Sequence, residues 1–331
     1  MDEKSLMEEI LGIRSKKDRG ETLLFEDEAE KNPKSNEDKK KEEKDNLRKK
    51  KKKKGKEKEI LKKEKEEKLF SLLQSYGSAA VALSGGVDSA VLLMAAVRTL
   101  GAKNVAAVTA VSELLPEGEL EDAKRCASRA GVRLTLLPAK DLASSDVARN
   151  DERRCYYCKK RRFEMLALWA KEHGFGRVLD GTNADDAGDY RPGLAAIEEL
   201  APFVASPLKE ARWTKPDIRE AAKAWGVPVW SKPGAACLAS RVEYGVELTG
   251  ERLHAVEVAE DSLRRYIRGQ LRVRCHGKLA RIEIEPAEFD VFWRHREEME
   301  DAVRSAGFTY VTLDLRGYRM GSQNEGLDMD S

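Results

Sequence analysis

The segment Ser84-Gly85-Gly86-Val87-Asp88-Ser89 lies between a short apolar run, Ala79 to Leu83, and an apolar-periodic segment that reads as a helix over Asp88 to Leu100. That order predicts a strand-loop-helix junction. Neighbouring glycines let backbone N–H groups approach phosphate oxygens closely, and the helix directs its positive end to the same point. Ser84 and Ser89 add hydroxyl donors and Asp88 a carboxylate. The loop lacks the lysine of the Walker pattern, which sets it apart from the usual site of γ-phosphate transfer.

The segments that follow alternate as an α/β fold requires. Val105 to Val111 reads as a strand, Glu119 to Ala130 as a helix with Leu120, Ala123, Ala127 and Ala130 on one face, and Val132 to Leu137 as a third strand. A helix from about Cys155 to His173 leads to a strand Arg177 to Asp180, and Asp217 to Trp225 places Ile218, Ala221, Ala222 and Trp225 together. The expected fold class is therefore α/β, with a doubly wound parallel sheet over residues 69–245 whose ligands collect at the carboxyl ends of the strands. After about Val246 come a long helix to Ile267, two alternating strands, another helix and a final strand around Tyr310 to Leu315, a small α+β domain over 246–325. In Leu271 to Cys275, residues Leu271, Val273 and Cys275 share one face and Arg272 and Arg274 the other. Period-two alternation predicts that the arginines face solvent or an anionic ligand.

Charge separates the first 68 residues from the rest. Between Lys34 and Lys68 there are 18 Lys or Arg against 10 Asp or Glu, with six consecutive lysines from Lys49 to Lys54. Residues 1–33 carry −4, so in a chain of net charge +2 the remaining residues 69–331 carry −2. That balance disfavours a nucleic-acid-binding core. The tail has too little apolar surface to offset the entropy of ordering, so disorder with transient helix is its expected state. Five cysteines are too few and oddly numbered for a disulfide framework, which points to a reducing cytoplasm. The N-terminus runs into mixed charge without an apolar signal region, and the run Ala90 to Val97 is far short of a membrane span. A soluble protein without a membrane partner is expected.

A second polar cluster, Asp180-Gly181-Thr182-Asn183-Ala184-Asp185-Asp186, falls at another predicted strand end. Carboxylates there suit Mg2+ held against phosphates, whereas turn formation and helix capping are the plainer roles for Asn183 and the aspartates. Cys155 and Cys158 share a helix face, and Cys237 lies in a Pro- and Gly-containing loop with basic neighbours. A lone Cys-x-x-Cys fits a redox pair, half a zinc site, cluster ligation or packing. Three thiolates without a histidine at similar spacing suit a 4Fe–4S cluster with one open iron, since structural zinc takes a fourth ligand. Cys126 and Cys275 fall on apolar faces and are assigned to the core.

The Ser-Gly-Gly-x-Asp-Ser loop resembles the PP-loop of N-type ATP pyrophosphatases, which implies a grip on the β- and γ-phosphates and cleavage between α and β. Arg154-Cys155-Tyr156-Tyr157-Cys158-Lys159, Gly181-Thr182-Asn183 with Asp189-Tyr190-Arg191-Pro192-Gly193, Cys237-Leu238-Ala239-Ser240-Arg241, Arg272-Val273-Arg274 with Ala280-Arg281-Ile282-Glu283, and Gly317-Tyr318-Arg319 carry a narrower likeness. Over about residues 69–325 the chain resembles the LarE family of ATP-dependent sulfur transferases. The resemblance implies conversion of pyridinium-3,5-biscarboxylic acid mononucleotide to its bisthiocarboxylic form, for the nickel-pincer nucleotide cofactor of lactate racemase. It implies ATP and Mg2+ at Ser84, Gly85, Gly86, Asp88, Ser89, Thr182, Asn183 and Asp185. It further implies phosphate contacts at Arg272 and Arg274, with Arg191 and Arg241 as other substrate-binding candidates.

The family has two sulfur chemistries. In one the cysteine at the position of Cys237 gives up its own sulfur; in the other three cysteines hold a 4Fe–4S cluster. Cys155, Cys158 and Cys237 together favour the cluster form, with Cys237 and Asp88 as catalytic candidates. Expected partners are the small-molecule nucleotide, a sulfide donor, cofactor-pathway proteins and further copies of the chain. The rivals are a PP-loop tRNA thiolase, which the near-neutral core disfavours, and a non-catalytic nucleotide sensor, which Asp88, Asp185 and Asp186 disfavour.

Overall fold

The computed structural model describes residues 33–188, 192–234 and 236–325. The chain divides into two units, Met1–Lys58 and Glu59–Ser331. A helix, α1, runs from Pro33 to Tyr76 and so begins in the first unit and ends in the second. The segment expected to be a charged tail with transient helix is helical from Pro33 onward. Lys, Glu and Leu are good helix formers, and a helix satisfies its own backbone without burying a face. The second unit also starts before Leu69. Lys62 pairs with Glu220 at 2.6 Å, Lys65 with Asp217 at 2.6 Å, and the Trp213 indole donates to the Lys65 carbonyl at 3.1 Å. Leu69 and Leu73 are fully buried beneath them.

Five parallel strands follow: β1 (Ala79–Ala82), β2 (Val105–Val111), β3 (Leu134–Pro138), β4 (Arg177–Leu179) and β5 (Val204–Ala205), in the order β3-β2-β1-β4-β5. Helices α2 (Val87–Leu100), α3 (Glu117–Ala130), α4 (Arg154–Glu172), α5 (Pro192–Glu199) and α6 (Lys215–Ala224) connect and flank them. One apolar cluster packs α2, α3 and α6 against one face, with Ile218, Ala221 and Ala222 buried as their spacing predicted; a second packs α4 and α5 against the other. The doubly wound α/β sheet is thus confirmed. Its order reverses between β1 and β4, and a sheet of this type opens its ligand crevice at the carboxyl ends of the strands where the order reverses. The glycine loop leaves β1 there, and the Gly181-Thr182-Asn183 turn leaves β4 beside it.

The rest of the chain forms a smaller layer. Strands β6 (Leu271–His276) and β7 (Leu279–Ile284) make an antiparallel hairpin, and β8 (Tyr310–Leu313) joins β7 in parallel after the crossover helix α8 (Arg296–Ser305). Helix α7 (Gly250–Leu263) packs Leu253, Val256 and Leu263 into the same core as Leu271 and Val273. Among the described residues no helix is long and apolar enough to cross a membrane.

One glycine couples the loop to its neighbour. Gly85 has φ +86°, and a Cβ there would overlap the carbonyl oxygen of Glu119 in α3, whereas a Cβ at Gly86 would meet nothing closer than Ser84 Oγ at 3.5 Å. Gly85→Ala is therefore expected to cost about 1–3 kcal/mol of unfolding free energy, measured by urea denaturation. Gly86→Ala should cost clearly less.

Candidate active site

The loop after β1 is closed on itself by Ser89. Its hydroxyl accepts from the Ser84 N–H at 3.2 Å, donates to the Gly86 carbonyl at 3.1 Å and lies 3.1 Å from Ser84 Oγ. Gly86, at the N-cap of α2, offers no side-chain cap, so the first N–H groups of that helix point at the crevice. Asp88 Oδ2 is paired with Lys215 Nζ, while Oδ1 is buried and has no hydrogen-bond partner among the described residues. Burial pushes the Asp88 carboxyl above its ordinary range; Lys215 opposes that shift and Asp186 adds to it.

The turn after β4 is locked onto this loop, since a Cβ at Gly181 would stand 3.1 Å from the Ser89 backbone nitrogen. Asp180, buried, accepts from the Thr182 hydroxyl and N–H, from Lys159 Nζ at 3.4 Å and from Ser206 Oγ at 3.4 Å. Thr182 lines the crevice, as expected. Asn183 and Asp185 do not. Asn183 Oδ1 accepts from the Asp185 N–H at 3.0 Å, and Asp185 Oδ2 accepts from the Lys215 N–H at 2.7 Å. Asp186, whose Oδ2 accepts from the Asn183 N–H at 2.9 Å, lines the crevice with Asp88 and Asp180. Arg191 lies outside the described residues.

The loop, the turn and the three cysteines line one cavity of about 380 Å³, within the size range of small-molecule sites. Cys155 and Cys158 come from the first turns of α4, and Cys237 from the loop before a short helical turn, Leu238–Arg241. Buried Arg154 donates to the Ala239 carbonyl at 3.0 Å and reaches Cys155 Sγ at 3.5 Å. Arg162 is braced by Asp141 at 2.9 Å and Ser112 at 2.7 Å. Burial pushes the Cys158 thiol up to about 12, and the nearby Arg162 cation works against that rise. All five cysteines are free, and Cys126 and Cys275 are buried in the cores where their periodicity placed them.

Among the described residues no three Cys, His, Asp or Glu side chains group tightly enough to hold one metal ion. A cubane takes each thiolate at a different iron and so asks for a wider set. Cys155, Cys158 and Cys237 line one cavity, with the cations of Arg154 and Arg162 beside them.

A second cavity, of about 370 Å³, adjoins the first and shares Arg154, Cys155, Lys159 and Thr182 with it. Arg272, Arg274 and Arg319 line its far side. The alternation of β6 is real, but Arg272 and Arg274 are buried rather than solvated, because Tyr318 and the segment to Asn324 fold over them. Arg272 donates to the carbonyls of Leu271 and Gly234 at 2.7 Å each and stacks on Tyr318. Burial and the nearby Arg241 cation lower its guanidinium to about 10. Arg274 bonds Glu283 at 2.9 Å and Ser322 at 2.8 Å. Arg241 lines neither cavity; it is paired with Glu260 and donates to the carbonyls of Ala236 and Cys237 at 2.6 and 3.0 Å.

Several site residues escaped sequence reasoning. Lys159 stands four residues after Cys155 on the same helical face, a spacing that could have flagged it. Arg162 and Arg319 lay beside or inside quoted motifs without being singled out. Lys215 carries no local signal, since only the fold brings it to Asp88.

A sheet of this order, with a glycine loop at its reversal and a carboxylate turn beside it, defines a PP-loop protein that uses ATP. The family model of NAD synthase matches residues 61–186. An uncharacterized protein of Synechocystis is 41% identical over 266 residues, covering 78% of this chain and 98% of its own. The pyridinium-3,5-bisthiocarboxylic acid mononucleotide synthase of Lactiplantibacillus plantarum is 36% identical over 259 residues, 78% of this chain and 93% of its own. The NH(3)-dependent NAD(+) synthetase of Methanococcoides burtonii matches at 29% over 45% of this chain and 57% of its own. The chain belongs to the LarE family.

The Arg241–Glu260 pair generates a prediction. Removing one member of a buried ion pair leaves the other uncompensated, so Glu260→Ala is expected to lower unfolding free energy by about 3–5 kcal/mol in chemical denaturation. Burial works to raise the Glu260 carboxyl, but Arg241 outweighs it and holds the group below its ordinary 4.5. A depressed folded value contributes stability above 4.5 that is lost as pH falls through the folded value. A urea series below pH 4.5 should therefore show a shallower acid loss in Glu260→Gln than in the parent protein.

Proposed function

We propose that this chain adenylylates the carboxylates of pyridinium-3,5-biscarboxylic acid mononucleotide and replaces carboxylate oxygen with sulfur, forming the compound named in the Lactiplantibacillus relative and serving synthesis of the nickel-pincer nucleotide. The observation that carries this reading is the common wall of the two cavities, formed by Arg154, Cys155, Lys159 and Thr182. A nucleotide whose phosphate lies at the arginines of the second cavity presents its ring to that wall, opposite the ATP loop. Arg272 supports the phosphate assignment. It is buried, its hydrogen bonds go to carbonyls, and burial and Arg241 disfavour its cation more than Glu260 supports it, so a phosphate dianion there would stabilise it.

ATP lies with its β- and γ-phosphates at Ser84–Ser89. A substrate carboxylate oxygen attacks the α-phosphorus, the bond from that phosphorus to the bridging oxygen breaks, and pyrophosphate leaves. The acyl adenylate then accepts a sulfur nucleophile at its carbonyl carbon, the C–O bond to AMP breaks, and a thiocarboxylate remains. Lys159, on both cavities, holds a positive charge where carboxylate and α-phosphate converge. Asp88 and Asp186 would hold Mg2+ against the phosphates, which neutralises charge on the departing pyrophosphate. Cys155, Cys158 and Cys237 would hold a 4Fe–4S cluster, which would supply sulfide as the sulfur source. Arg154 and Arg162 offset the negative charge of the three thiolates.

Protein purified without air and given ATP, Mg2+ and the dicarboxylate should release pyrophosphate. Asp88→Ala is expected to lower that release at least about 100-fold, while Cys237→Ala keeps it and loses thiocarboxylate, scored by mass spectrometry. Pyrophosphate release that requires Cys237 would contradict the two-stage scheme. Brown, iron-loaded protein with repeated turnover supports the cluster. Colourless protein that loses the mass of one sulfur per transfer replaces it with a sacrificial Cys237.

A further inference from the structure

The three thiols reach their cavity from two distant stretches of chain. Cys155 and Cys158 begin α4, whereas Cys237 belongs to the loop ahead of Leu238–Arg241. One side chain ties these stretches together. Asn150 is fully buried, and its Nδ2 group donates to the carbonyls of Glu243 at 2.8 Å and Val246 at 2.9 Å and lies 3.4 Å from that of Val242. Its own carbonyl accepts from the Gly245 N–H at 3.0 Å. Its Oδ1 accepts from Arg154 Nη1, which also donates to the Ala239 carbonyl, while Arg154 Nη2 reaches Cys155 Sγ. The backbone adds a second demand. Asn150 holds φ +59°, in the left-handed region that Gly, Asn and Asp enter most readily. The position therefore asks for that conformation together with two N–H donors and an acceptor. Glycine meets the first alone, aspartate lacks the donors, and glutamine carries its amide one methylene too far. Asparagine meets both. It lines neither cavity, so these bonds act on the site through other residues.

We propose that Asn150 is a positioning residue for the sulfur chemistry: its amide clamps segment 242–246 to the start of α4 and, with Arg154, sets Cys237 beside Cys155 and Cys158 before anything binds between them. Arg241 fixes the Cys237 loop to the smaller layer through Glu260. Asn150 fixes the same loop to the helix that carries the other two thiols. Without its amide, the loop keeps its hold on α7 and loses its hold on α4, so the thiol set comes apart at the join between Cys237 and the helix pair. The assignment rests on the reading of the three thiols as one sulfur-handling site.

A bifunctional thiol reagent, applied to the reduced and chelator-treated full chain, tests this, with the joined pairs followed by peptide mass spectrometry. In the parent protein Cys237 is expected to join Cys155 or Cys158. Asn150→Gly keeps the left-handed backbone without the amide, and Asn150→Asp keeps the acceptor for Arg154 without the donors. Both should form the Cys237 cross-link about ten- to a hundredfold more slowly, while the Cys155–Cys158 cross-link within α4 stays within about twofold of the parent rate. Equal rates of Cys237 cross-linking in the parent and both variants overturn the proposal. So does alkylation of Cys126 that speeds up in step with the loss, because Cys126 is buried in a different core and would report a loosened fold rather than a displaced loop. Where Asn150→Gly does not fold, Asn150→Asp carries the same comparison. A parent protein in which Cys237 joins neither helix thiol overturns the one-site reading itself, and does so before any substitution is compared.

Discussion

The guanidinium of Arg241 donates in two directions at once, to both oxygens of Glu260 at 2.9 Å and to the carbonyls of Ala236 and Cys237. Glu260 Oε1 also accepts from the Val273 N–H at 2.9 Å. Helix α7, strand β6 and the loop that carries Cys237 are therefore joined through one buried ion pair. Such a pair is a poor source of net stability, because desolvation offsets most of its attraction. What it contributes is position. Arg272 and Arg274 flank Val273 on β6, so the bonds that hold the thiol also set its separation from the arginines across the second cavity.

The same loop is tied to the ATP side. The Leu238 N–H donates to the Leu114 carbonyl at 3.0 Å, and Lys232 bridges Glu119 and Asp122 at the start of α3. Glu119 is the residue whose carbonyl leaves room only for glycine at position 85. A displacement of the phosphate loop thus meets α3 first, then Lys232, then the segment leading to Cys237. These contacts make the relation between loop and thiol a property of backbone and short ion pairs, which relax less than long exposed side chains.

Periodicity made much of the fold legible. The β1-loop-α2 junction, the apolar faces of α3 and α6 and the alternation of β6 each follow from local spacing, and local spacing is what sequence displays. Long-range occupancy is not displayed. Arg272 and Arg274 alternate with Leu271 and Val273 whether water or Tyr318 covers them, and only the returning segment near residue 318 decides. Asn183 and Asp185 adjoin Thr182, yet Asn183 Oδ1 accepts from the Asp185 N–H and Asp185 Oδ2 from the Lys215 N–H, contacts that spacing does not display. Lys215 reaches Asp88 through tertiary folding alone. The helix at Pro33–Tyr76 is a different case: low apolar content argues against a packed core, but a Lys- and Glu-rich helix needs none.

Net charge misleads in the same way when it is read without placement. Residues 69–331 carry a net −2, yet Arg154, Lys159, Arg162, Arg272, Arg274 and Arg319 all line the two adjoining cavities. Low-dielectric walls focus the field of such cations into the cleft, which favours polyanionic nucleotides there. The NAD synthase match stops at residue 186, before Cys237, Lys215 and the whole smaller layer. Up to that point the chain presents a phosphate loop on a parallel sheet, a device that many chemistries share. Beyond it lie the third thiol and the buried arginines, the parts that the proposed sulfur chemistry adds to a general means of activating a carboxylate.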